Sequence, residues 1–264
     1  MIMKKNYFIL FICFILTGCS NLVNKVSFFP DTLNVVDKTL LPKEIQAIKI
    51  PTIDGLKIEG YFLKMPTSNY LLIYFHGNAG NIGQRLKSLT LINQIGINVL
   101  AVGYRGYGLS EGKPSEKGIY IDGQSALNYA HQLGFKNNQI ILFGRSLGTT
   151  VAIHNAQNLN LAGLILISPL TSGNEMAEQM GIGWLSFLTG NPFNSLSKIN
   201  HILVPTLIIH GTEDQMIPVK MAKQIYQELS IKKQLKLIKG AGHNDLQNYA
   251  EYWRTIEKFI RELK

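Results

Sequence analysis

The chain has 264 residues, of which 46% are hydrophobic and 16% charged, and it contains 24 glycines. This composition excludes a coiled coil and a disordered chain, and the length suits one sizeable core. The formal net charge of +9 suits either proximity to anionic lipid head groups or a plain solvated surface. The lysines of residues 232–239 have no interleaved aromatics, so we expect no nucleic-acid partner.

Residues 1–18 differ from the rest of the chain. Two lysines give a positive start, and residues 7–16 form an uninterrupted apolar run, which is too short to span a bilayer but fits a secretory signal peptide. The sequence LTGC that follows resembles the lipobox of bacterial lipoproteins, in which cleavage leaves the cysteine as the lipidated first residue. We therefore expect a signal peptide over residues 1–18 and a lipid on Cys19. The alternative is an uncleaved anchor with an incidental cysteine.

This organisation predicts an exported protein that is anchored to a bacterial membrane, on the periplasmic or outer-membrane face. Residues 19–44 have mixed polarity and are interpreted as a tether that settles onto the following domain. The apolar residues 26–30 of the tether suit either packing on the domain or contact with the membrane. Residues 45–264 are predicted to form the domain.

From residue 45 the chain alternates between strand and helix patterns. Two strand-like runs meet across Asp54-Gly55, which is a hairpin signal. The predicted strands are residues 45–50, 56–63, 70–75, 97–102, 139–143, 164–167, 206–210 and 234–238, and the predicted helices are 82–94, 116–133, a segment ending near 157, 218–229 and 245–263. Because most of these strands are continuously apolar, we predict an α/β fold with a mostly parallel sheet of about eight strands, buried on both faces.

Residues 168–204 interrupt this alternation, because they contain no strand pattern but many apolar side chains. A connection of this length usually carries function. The segment is interpreted as a small lid-like insertion or, alternatively, as a pair of short helices that complete the core.

The sequence GRSLG at residues 144–148 follows an apolar run and opens a helical pattern. It is a G-x-S-x-G nucleophile elbow in the strand–turn–helix setting that the motif requires. The serine of such an elbow sits on a tight, strained turn, so its neighbours need minimal bulk. Ser146 is therefore the candidate nucleophile.

A serine nucleophile needs a histidine base and an acid that orients the base. In folds built on this elbow, the acid and then the histidine follow the serine in chain order. His243 lies in the turn between the last strand and the last helix and is the candidate base. Asp214 and Glu213 both follow the strand at 206–210, and the shorter side chain makes Asp214 the preferred acid.

The tetrahedral intermediate needs backbone N–H donors, one from the residue after the nucleophile and one from the loop after an early strand. Leu147 has the first position. The sequence HGNAG at residues 76–80 has the second, and Asn78 is the candidate donor through its backbone. His76 is interpreted as a brace for this loop and not as a second base.

Five motifs together resemble the α/β-hydrolase superfamily over nearly all of residues 45–264. They are HGNAG, YRGYGLSEGKPS at 104–115, GRSLG, HGTEDQMIP at 210–218 and GAGHND at 240–245. The set is similar to the compact alpha/beta-hydrolase-domain proteins, which include bacterial serine hydrolases and eukaryotic enzymes that remove palmitate from proteins. The resemblance implies the α/β-hydrolase fold and a triad of Ser146, Asp214 and His243. It does not extend to the lipobox, so a cytosolic relative's substrate is not carried over.

We therefore predict a membrane-anchored serine hydrolase that cleaves carboxylic esters or thioesters through an acyl-enzyme, without a metal or an organic cofactor. The apolar residues 182–188 favour lipid or other acyl substrates over sugars. An aminopeptidase or amidase with the same triad is the alternative, and its acidic residues for a substrate amine would be Glu111, Glu175 and Glu178. A non-catalytic surface lipoprotein that binds a ligand is a third hypothesis, although a binding module has no reason to keep a complete triad.

Overall fold

The computed structural model describes residues 23–37, 39, 41–186 and 190–263. Cys19 and the predicted signal peptide lie outside the described residues, as do residues 187–189 of the predicted insertion. Within the described part of the chain, no helix combines the length and the apolar character needed to cross a membrane.

Strands and helices alternate through most of the described chain. The strands are β1 (Phe29–Pro30), β2 (Ile45–Pro51), β3 (Lys57–Leu63), β4 (Leu71–Phe75), β5 (Ala79–Gly80), β6 (Asn98–Val102), β7 (Ile140–Arg145), β8 (Gly163–Ile167), β9 (Thr206–Gly211) and β10 (Lys233–Ile238). The helices are α1 (Leu86–Gln94), α2 (Glu116–Gln132), α3 (Gly148–Ala156), α4 (Gly173–Gln179), α5 (Leu196–Ile199), α6 (Val219–Glu228) and α7 (Ala250–Leu263). Short 3-10 turns lie at Gly83–Arg85, Asn137–Gln139, Gly183–Leu185 and Leu246–Asn248.

Eight of these strands form one sheet in the order β10-β9-β8-β7-β4-β6-β3-β2. The pairs from β10 to β6 are parallel, while β3 is antiparallel to both β6 and β2. The β2–β3 hairpin turns at Gly55, whose φ of +89° suits glycine. The prediction of a mostly parallel sheet of about eight strands is confirmed.

The sheet is buried on both faces, which explains why its central strands are continuously apolar. Every residue of β4, β6, β8 and β9 is buried. One apolar cluster joins the sheet to α2, α3 and α6, and a second joins its other face to α1 and α7. Since parallel strands all point one way, the turns after β4, β7, β9 and β10 meet at the same edge of the sheet.

Several predicted helix boundaries differ from the structure, by one to five residues. The last helix begins at Ala250 and not at residue 245, because Tyr249 is extended and the Asp245 carboxylate accepts a hydrogen bond from Gly242 N–H at 2.7 Å. Within the helix, Ala250 is exposed whereas Tyr252 is buried. The helix predicted to end at Leu133 ends one residue earlier.

A short segment before the predicted domain packs on the domain. We call residues 28–34 the N-terminal strap. Phe28 is buried and meets the ring of Phe193 edge-on, with ring centroids 5.9 Å apart, whereas Phe29 is exposed. The strap then forms β1, which pairs in parallel with β5 in the 76–80 loop. The last hydrogen bond between the strap and the 76–80 loop runs from Asp31 N–H to Gly80 O, at 2.9 Å.

The described part of the predicted insertion at residues 168–204 includes the short helices α4 and α5. Hydrogen bonds between its two ends close it: Gly173 N–H donates to Pro192 O at 2.7 Å, and Ser195 N–H donates to Thr171 O at 2.8 Å. Met180 and Trp184, in its middle, are exposed. The ends of the insertion therefore pack on the domain while its middle presents apolar side chains to solvent.

Candidate active site

The nucleophile elbow lies between the end of β7 and the start of α3. Ser146 has a φ of +53°, a left-handed conformation that a serine adopts only under constraint. Its N–H continues the sheet by donating to Ile167 O at 2.8 Å, and its carbonyl accepts from Thr149 N–H at 2.9 Å. The strand and the helix thus hold the serine from both sides.

The two glycines of the elbow are required by close backbone contacts. A Cβ on Gly144 would lie 2.5 Å from Gly148 O and from Thr149 Cα. A Cβ on Gly148 would lie 2.2 Å from Phe75 O, at the end of the neighbouring strand β4. Any larger residue at either position would push the helix away from the sheet.

Three predicted residues from three separate turns meet beside this elbow. His243 Nε2 lies 3.1 Å from Ser146 Oγ, and His243 Nδ1 lies 2.7 Å from Asp214 Oδ2. Because the carboxylate can only accept, Nδ1 carries the proton and Nε2 is left as the acceptor for the serine hydroxyl. This is the tautomer that a general base needs.

Asp214 is held as a charged carboxylate. Its Oδ1 accepts from Met216 N–H at 3.0 Å and from Ile217 N–H at 2.8 Å. Burial alone would raise the pKa of Asp214, but hydrogen bonds from His210, His243 and Ile217 outweigh it and hold that pKa well below its usual range. Asp214 is therefore charged throughout the range in which a histidine base works.

His210 is a neighbour of Asp214 that the sequence did not indicate. Its Nε2 lies 2.8 Å from Ile217 O and 3.3 Å from Asp214 Oδ2. Both oxygens are acceptors, so Nε2 carries the proton and its N–H is shared between them. The histidine thereby ties the strand end of β9 to the turn that presents Asp214.

The turn that carries His243 is held by the side chain next to the nucleophile. Arg145 Nη2 donates to His243 O and to Asn244 Oδ1, each at 3.0 Å. Arg145 occupies a variable position of the elbow motif, so the motif does not predict this role. Only the position of Arg145 next to Ser146 in the chain could have indicated it.

The 76–80 loop lies against the serine. A Cβ on Gly77 would lie 3.4 Å from Ser146 Cβ, which places the backbone of this loop directly beside the nucleophile. Within the described part of the chain, neither Asn78 N–H nor Leu147 N–H donates a hydrogen bond. Both N–H groups are thus available as donors, as the predicted oxyanion hole requires.

Two tyrosines from residues 103–115, which we call the 103–115 loop, hold the 76–80 loop through its carbonyls. Tyr104 hydroxyl donates to His76 O at 2.9 Å, and Tyr107 hydroxyl donates to Asn78 O at 2.7 Å. Asn78 O also accepts from Phe29 N–H of the N-terminal strap at 2.9 Å. These contacts hold the Asn78–Ala79 peptide group and so fix the path of the loop.

The side chain of His76, the first residue of this loop, packs on the rings of Tyr104 and Tyr107. Its ring centroid lies 4.3 Å from that of Tyr104, and its Nδ1 lies 2.7 Å from Gly77 O, to which it donates. Burial lowers the pKa of His76 to about 3, so the ring is neutral at ordinary pH. These contacts fit the predicted role of a brace.

A buried ion pair anchors the 103–115 loop. Arg105 Nη2 lies 2.8 Å from Asp122 Oδ1, and Arg105 Nη1 lies 2.8 Å from Asp54 Oδ2. Asp122 is completely buried, and its second oxygen accepts from Arg105 N–H at 2.9 Å. Sequence reasoning missed Tyr104, Arg105 and Tyr107, although all three fall in the YRGYG segment that carried part of the family resemblance.

The other acidic candidates have different surroundings. Glu213 is exposed, while Asp214 beside it contacts the histidine. Glu111 accepts from Lys57 N–H at 2.8 Å, and Glu175 pairs with Lys220 at 3.2 Å and accepts from Thr171 hydroxyl. Across the described ranges, no group of three or more His, Cys, Asp and Glu side chains could hold a metal ion.

Comparison with protein families gives one match over most of the chain. A family model described as serine aminopeptidase, S33, matches residues 67–197 and 193–248. The matched residues include the elbow, the acid turn and the histidine turn.

Curated relatives are also found. Human alpha/beta hydrolase domain-containing protein 17B is 33% identical over 221 residues, which are 83% of this chain and 76% of that protein. Mouse alpha/beta hydrolase domain-containing protein 17C is 36% identical over 197 residues, which are 74% of this chain and 61% of that protein. The Caenorhabditis elegans alpha/beta hydrolase domain-containing protein aho-3 is 35% identical, and the match spans 59% of its length. The chain thus spans about three fifths of the length of the last two proteins.

Solved structures share the fold at lower identity. A Pyrococcus furiosus esterase superposes with a TM-score of 0.73 at 21% identity, covering 89% of this chain and 98% of the esterase. An alpha-beta hydrolase from Vibrio vulnificus gives a TM-score of 0.71 at 22% identity, covering 82% of this chain and 81% of that protein.

Proposed function

We propose that this chain, which belongs to the α/β-hydrolase superfamily, is a serine hydrolase that cleaves carboxylic esters or thioesters. The observation that carries the proposal is the hydrogen-bonded chain from Ser146 Oγ through His243 to Asp214, with separations of 3.1 and 2.7 Å. A neutral histidine with its acceptor nitrogen on the serine hydroxyl is ready to remove that proton.

The reaction would proceed in two steps. Ser146 Oγ attacks the acyl carbon while His243 Nε2 takes the hydroxyl proton, and the tetrahedral intermediate collapses when His243 returns that proton to the leaving alcohol or thiol. Water then attacks the acyl-enzyme, with His243 again as the base, and releases the carboxylic acid and the free serine. In both steps Asp214 stabilises the charged imidazole.

The oxyanion of each tetrahedral intermediate would be bound by Leu147 N–H and Asn78 N–H. Leu147 lies at the start of α3, where the helix dipole also favours a negative charge. Removing one such donor costs about 10²–10³ in kcat in other hydrolases. The hydrogen bond from His76 Nδ1 to Gly77 O at 2.7 Å supports this assignment, because Gly77 O and Asn78 N–H belong to the same peptide group.

Apolar residues around the site favour an acyl substrate. Phe29 in the N-terminal strap is exposed and adjoins the 76–80 loop, and Met216 is exposed two residues after Asp214. Met180 and Trp184 add exposed apolar surface on the insertion. Such exposed groups are typical of surfaces that bind an apolar ligand.

We further propose that Cys19 carries a lipid that anchors the protein to a bacterial membrane, with the enzyme exported. The support is the sequence of residues 1–19 together with the position of the N-terminal strap, which begins nine residues after Cys19 and pairs with the 76–80 loop. The insertion at residues 168–204 is proposed as a lid over the acyl group.

An aminopeptidase is the second candidate, since the matching family model carries that description. It would need a free carboxylate for the substrate amine. Glu175 is already paired with Lys220, Glu111 accepts a backbone N–H, and Glu178 is exposed on α4. These contacts make the ester reaction the better supported of the two.

Fluorophosphonate labelling of the purified protein tests the nucleophile. We expect wild type to be labelled and Ser146→Ala to be unlabelled, with Ser172→Ala labelled like wild type because Ser172 caps α4. Absence of label on wild type, or equal labelling of Ser146→Ala, would reject the serine hydrolase. The hypothesis of a non-catalytic lipoprotein that binds a ligand would then remain.

A substrate panel separates the two reactions and tests the acyl preference. We expect p-nitrophenyl esters to be cleaved with a rate that rises with acyl length, and amino-acid p-nitroanilides to be left intact. Cleavage of the anilides alone would favour the aminopeptidase, and a flat response to chain length would contradict the lipid-like substrate.

Cell fractionation tests the anchor. We expect wild type in the membrane fraction and Cys19→Ser in the soluble fraction, with Cys13→Ser unchanged from wild type. Membrane retention of Cys19→Ser would contradict a lipid at that position.

A further inference from the structure

A small polar pocket lies behind the candidate active site, on the sheet face that packs α1 and α7. It encloses about 60 Å³ of free space, and its polar lining includes Tyr74, Arg85, Arg145, Asn244, Gln247 and Tyr252. One wall is closed by Ser88, which donates to Gln247 Oε1 at 2.6 Å and so joins α1 to the turn before α7. We call this space the arginine pocket.

Arg85 and Arg145 both line the arginine pocket, and neither pairs with a carboxylate anywhere in the described chain. Arg85 Nη2 donates to Ala79 O at 2.8 Å, and Arg145 Nη2 donates to His243 O at 3.0 Å. Arg85 Nε is buried and has no partner. Burial lowers the pKa of Arg85, and the positive charge of Arg145 adds to this effect. A guanidinium has five N–H donors, so most of the donors in this pocket are unused.

Two phenols add further donors. The hydroxyls of Tyr74 and Tyr252 make no hydrogen bond to any described residue, and both side chains are buried. Burial raises the pKa of each tyrosine, so both hydroxyls keep their protons. Both tyrosines line the same pocket as Arg145.

Two positive charges and several unused donors, which no carboxylate of the described chain balances, fit a small anion. We propose that the arginine pocket binds a phosphate group, as free inorganic phosphate or as the terminal phosphate of a small phosphomonoester. A phosphate dianion balances two guanidinium charges, and its oxygens accept from several directions as these donors require. The free volume suits one such tetrahedral group.

The bound phosphate would connect the two sides of the active site. Arg85 holds Ala79 O in the 76–80 loop, while Arg145 holds His243 O in the histidine turn. An anion between the two guanidinium groups would offset their repulsion and keep both contacts in place. This part of the inference rests on the proposed function.

Calorimetric titration of the full Ser146→Ala protein with inorganic phosphate, at constant ionic strength, tests the site independently of any activity. We expect saturable one-to-one binding that Arg85→Gln weakens about tenfold or more, because it removes a charge-assisted contact. Arg254→Gln, which changes an exposed arginine on α7, should leave the affinity unchanged. No saturable binding, or equal binding by Arg85→Gln, overturns the proposal.

Tyr74→Phe provides a second variant that keeps the ring stacked on Phe143. We expect it to weaken phosphate binding about threefold, since a neutral donor contributes less than a charged one. An unchanged affinity in this variant would contradict the assigned pocket even if Arg85→Gln failed to fold.

Glycerol 3-phosphate distinguishes the two sources of the phosphate group. Tighter binding than inorganic phosphate identifies a phosphomonoester as the ligand, and rejection of glycerol 3-phosphate identifies free phosphate. With wild type, phosphate should also raise the rate of ester hydrolysis, and Arg85→Gln should abolish this response. Binding without any rate response would overturn the link to the active site and leave the phosphate site standing.

Discussion

The two sides of the candidate active site are held in different ways. On the histidine side, Asp214 and His243 lie on turns that directly follow β9 and β10, which are neighbours in the sheet. On the other side, the 76–80 loop is held by Phe29 of the N-terminal strap and by Tyr107 of the 103–115 loop. The sheet fixes the first side, whereas the second side, although it follows β4, is also held by two segments that lie outside the eight-stranded sheet.

This difference predicts different responses to mutation. Turns held by the sheet depend on the strands themselves, whereas the strap and the 103–115 loop depend on a few side-chain contacts of their own, so the loss of one contact can release such a segment locally. We therefore expect changes on the histidine side to alter the chemistry alone. Changes on the loop side should alter stability and chemistry together.

The largest effect is expected from Asp214→Asn on the histidine side. The variant removes the charge that orients and stabilises the imidazole, and we expect kcat for ester hydrolysis to fall about 10⁴-fold while the protein stays folded. Glu213→Gln, at the exposed neighbouring position, is the control and should keep wild-type kcat. A loss below tenfold in Asp214→Asn would mean that another group orients His243.

The next largest effect is expected from Arg105→Ala, which removes the ion pairs that anchor the 103–115 loop. Asp122 is fully buried and would be left without its partner, so we expect a loss of about 3–5 kcal/mol in the free energy of unfolding. Urea denaturation measures it. Arg261→Ala breaks an exposed ion pair with Glu257 and should cost below about 0.5 kcal/mol. Similar losses in both variants would contradict the anchoring role of Arg105.

A smaller effect is expected from Phe28→Ala in the N-terminal strap. Phe28 is 5% exposed and Phe29 is 53% exposed, so the adjacent pair supplies its own control. Phe28→Ala should lower the free energy of unfolding by about 3 kcal/mol and also lower kcat, because Asn78 O loses the support of the strap. Phe29→Ala should change stability by no more than about 0.5 kcal/mol. If kcat is unchanged in Phe28→Ala, the strap does not position the 76–80 loop.

The smallest effect is expected from Tyr107→Phe, which removes one hydrogen bond to Asn78 O. We expect a loss of about 1 kcal/mol in stability and a measurable fall in kcat. Tyr70→Phe removes a similar bond, from Tyr70 hydroxyl to Leu263 O at 3.1 Å, at a distance from the site. The two variants should lose similar stability, and only Tyr107→Phe should lose activity.

The histidine side was predictable from the sequence because few rules determine it. Parallel strands bring their carboxyl ends to one edge, and the elbow motif identifies which strand carries the nucleophile. The chain order of Ser146, Asp214 and His243 then identifies the remaining side chains. The structure brings these three residues together, and their catalytic roles stay a prediction.

The loop side could not be predicted to the same depth. Phe28, Phe29 and Pro30 have an apolar pattern that suits a membrane contact as well as a protein contact, and a two-residue strand leaves no periodicity to detect. Arg145 occupies a variable position of its motif. The hydrogen bonds of Tyr104 and Tyr107 depend on how the 103–115 loop folds back, which local spacing does not determine.

The segment that precedes the strap limits the distance between the domain and Cys19. Val23, which packs against the core, lies four residues after Cys19, and four extended residues span at most about 14 Å. With a lipid on Cys19, as proposed, the domain would therefore rest against the head groups instead of swinging freely above them. Such an enzyme would select its substrates partly by depth, since only acyl groups presented at the bilayer surface would reach Ser146.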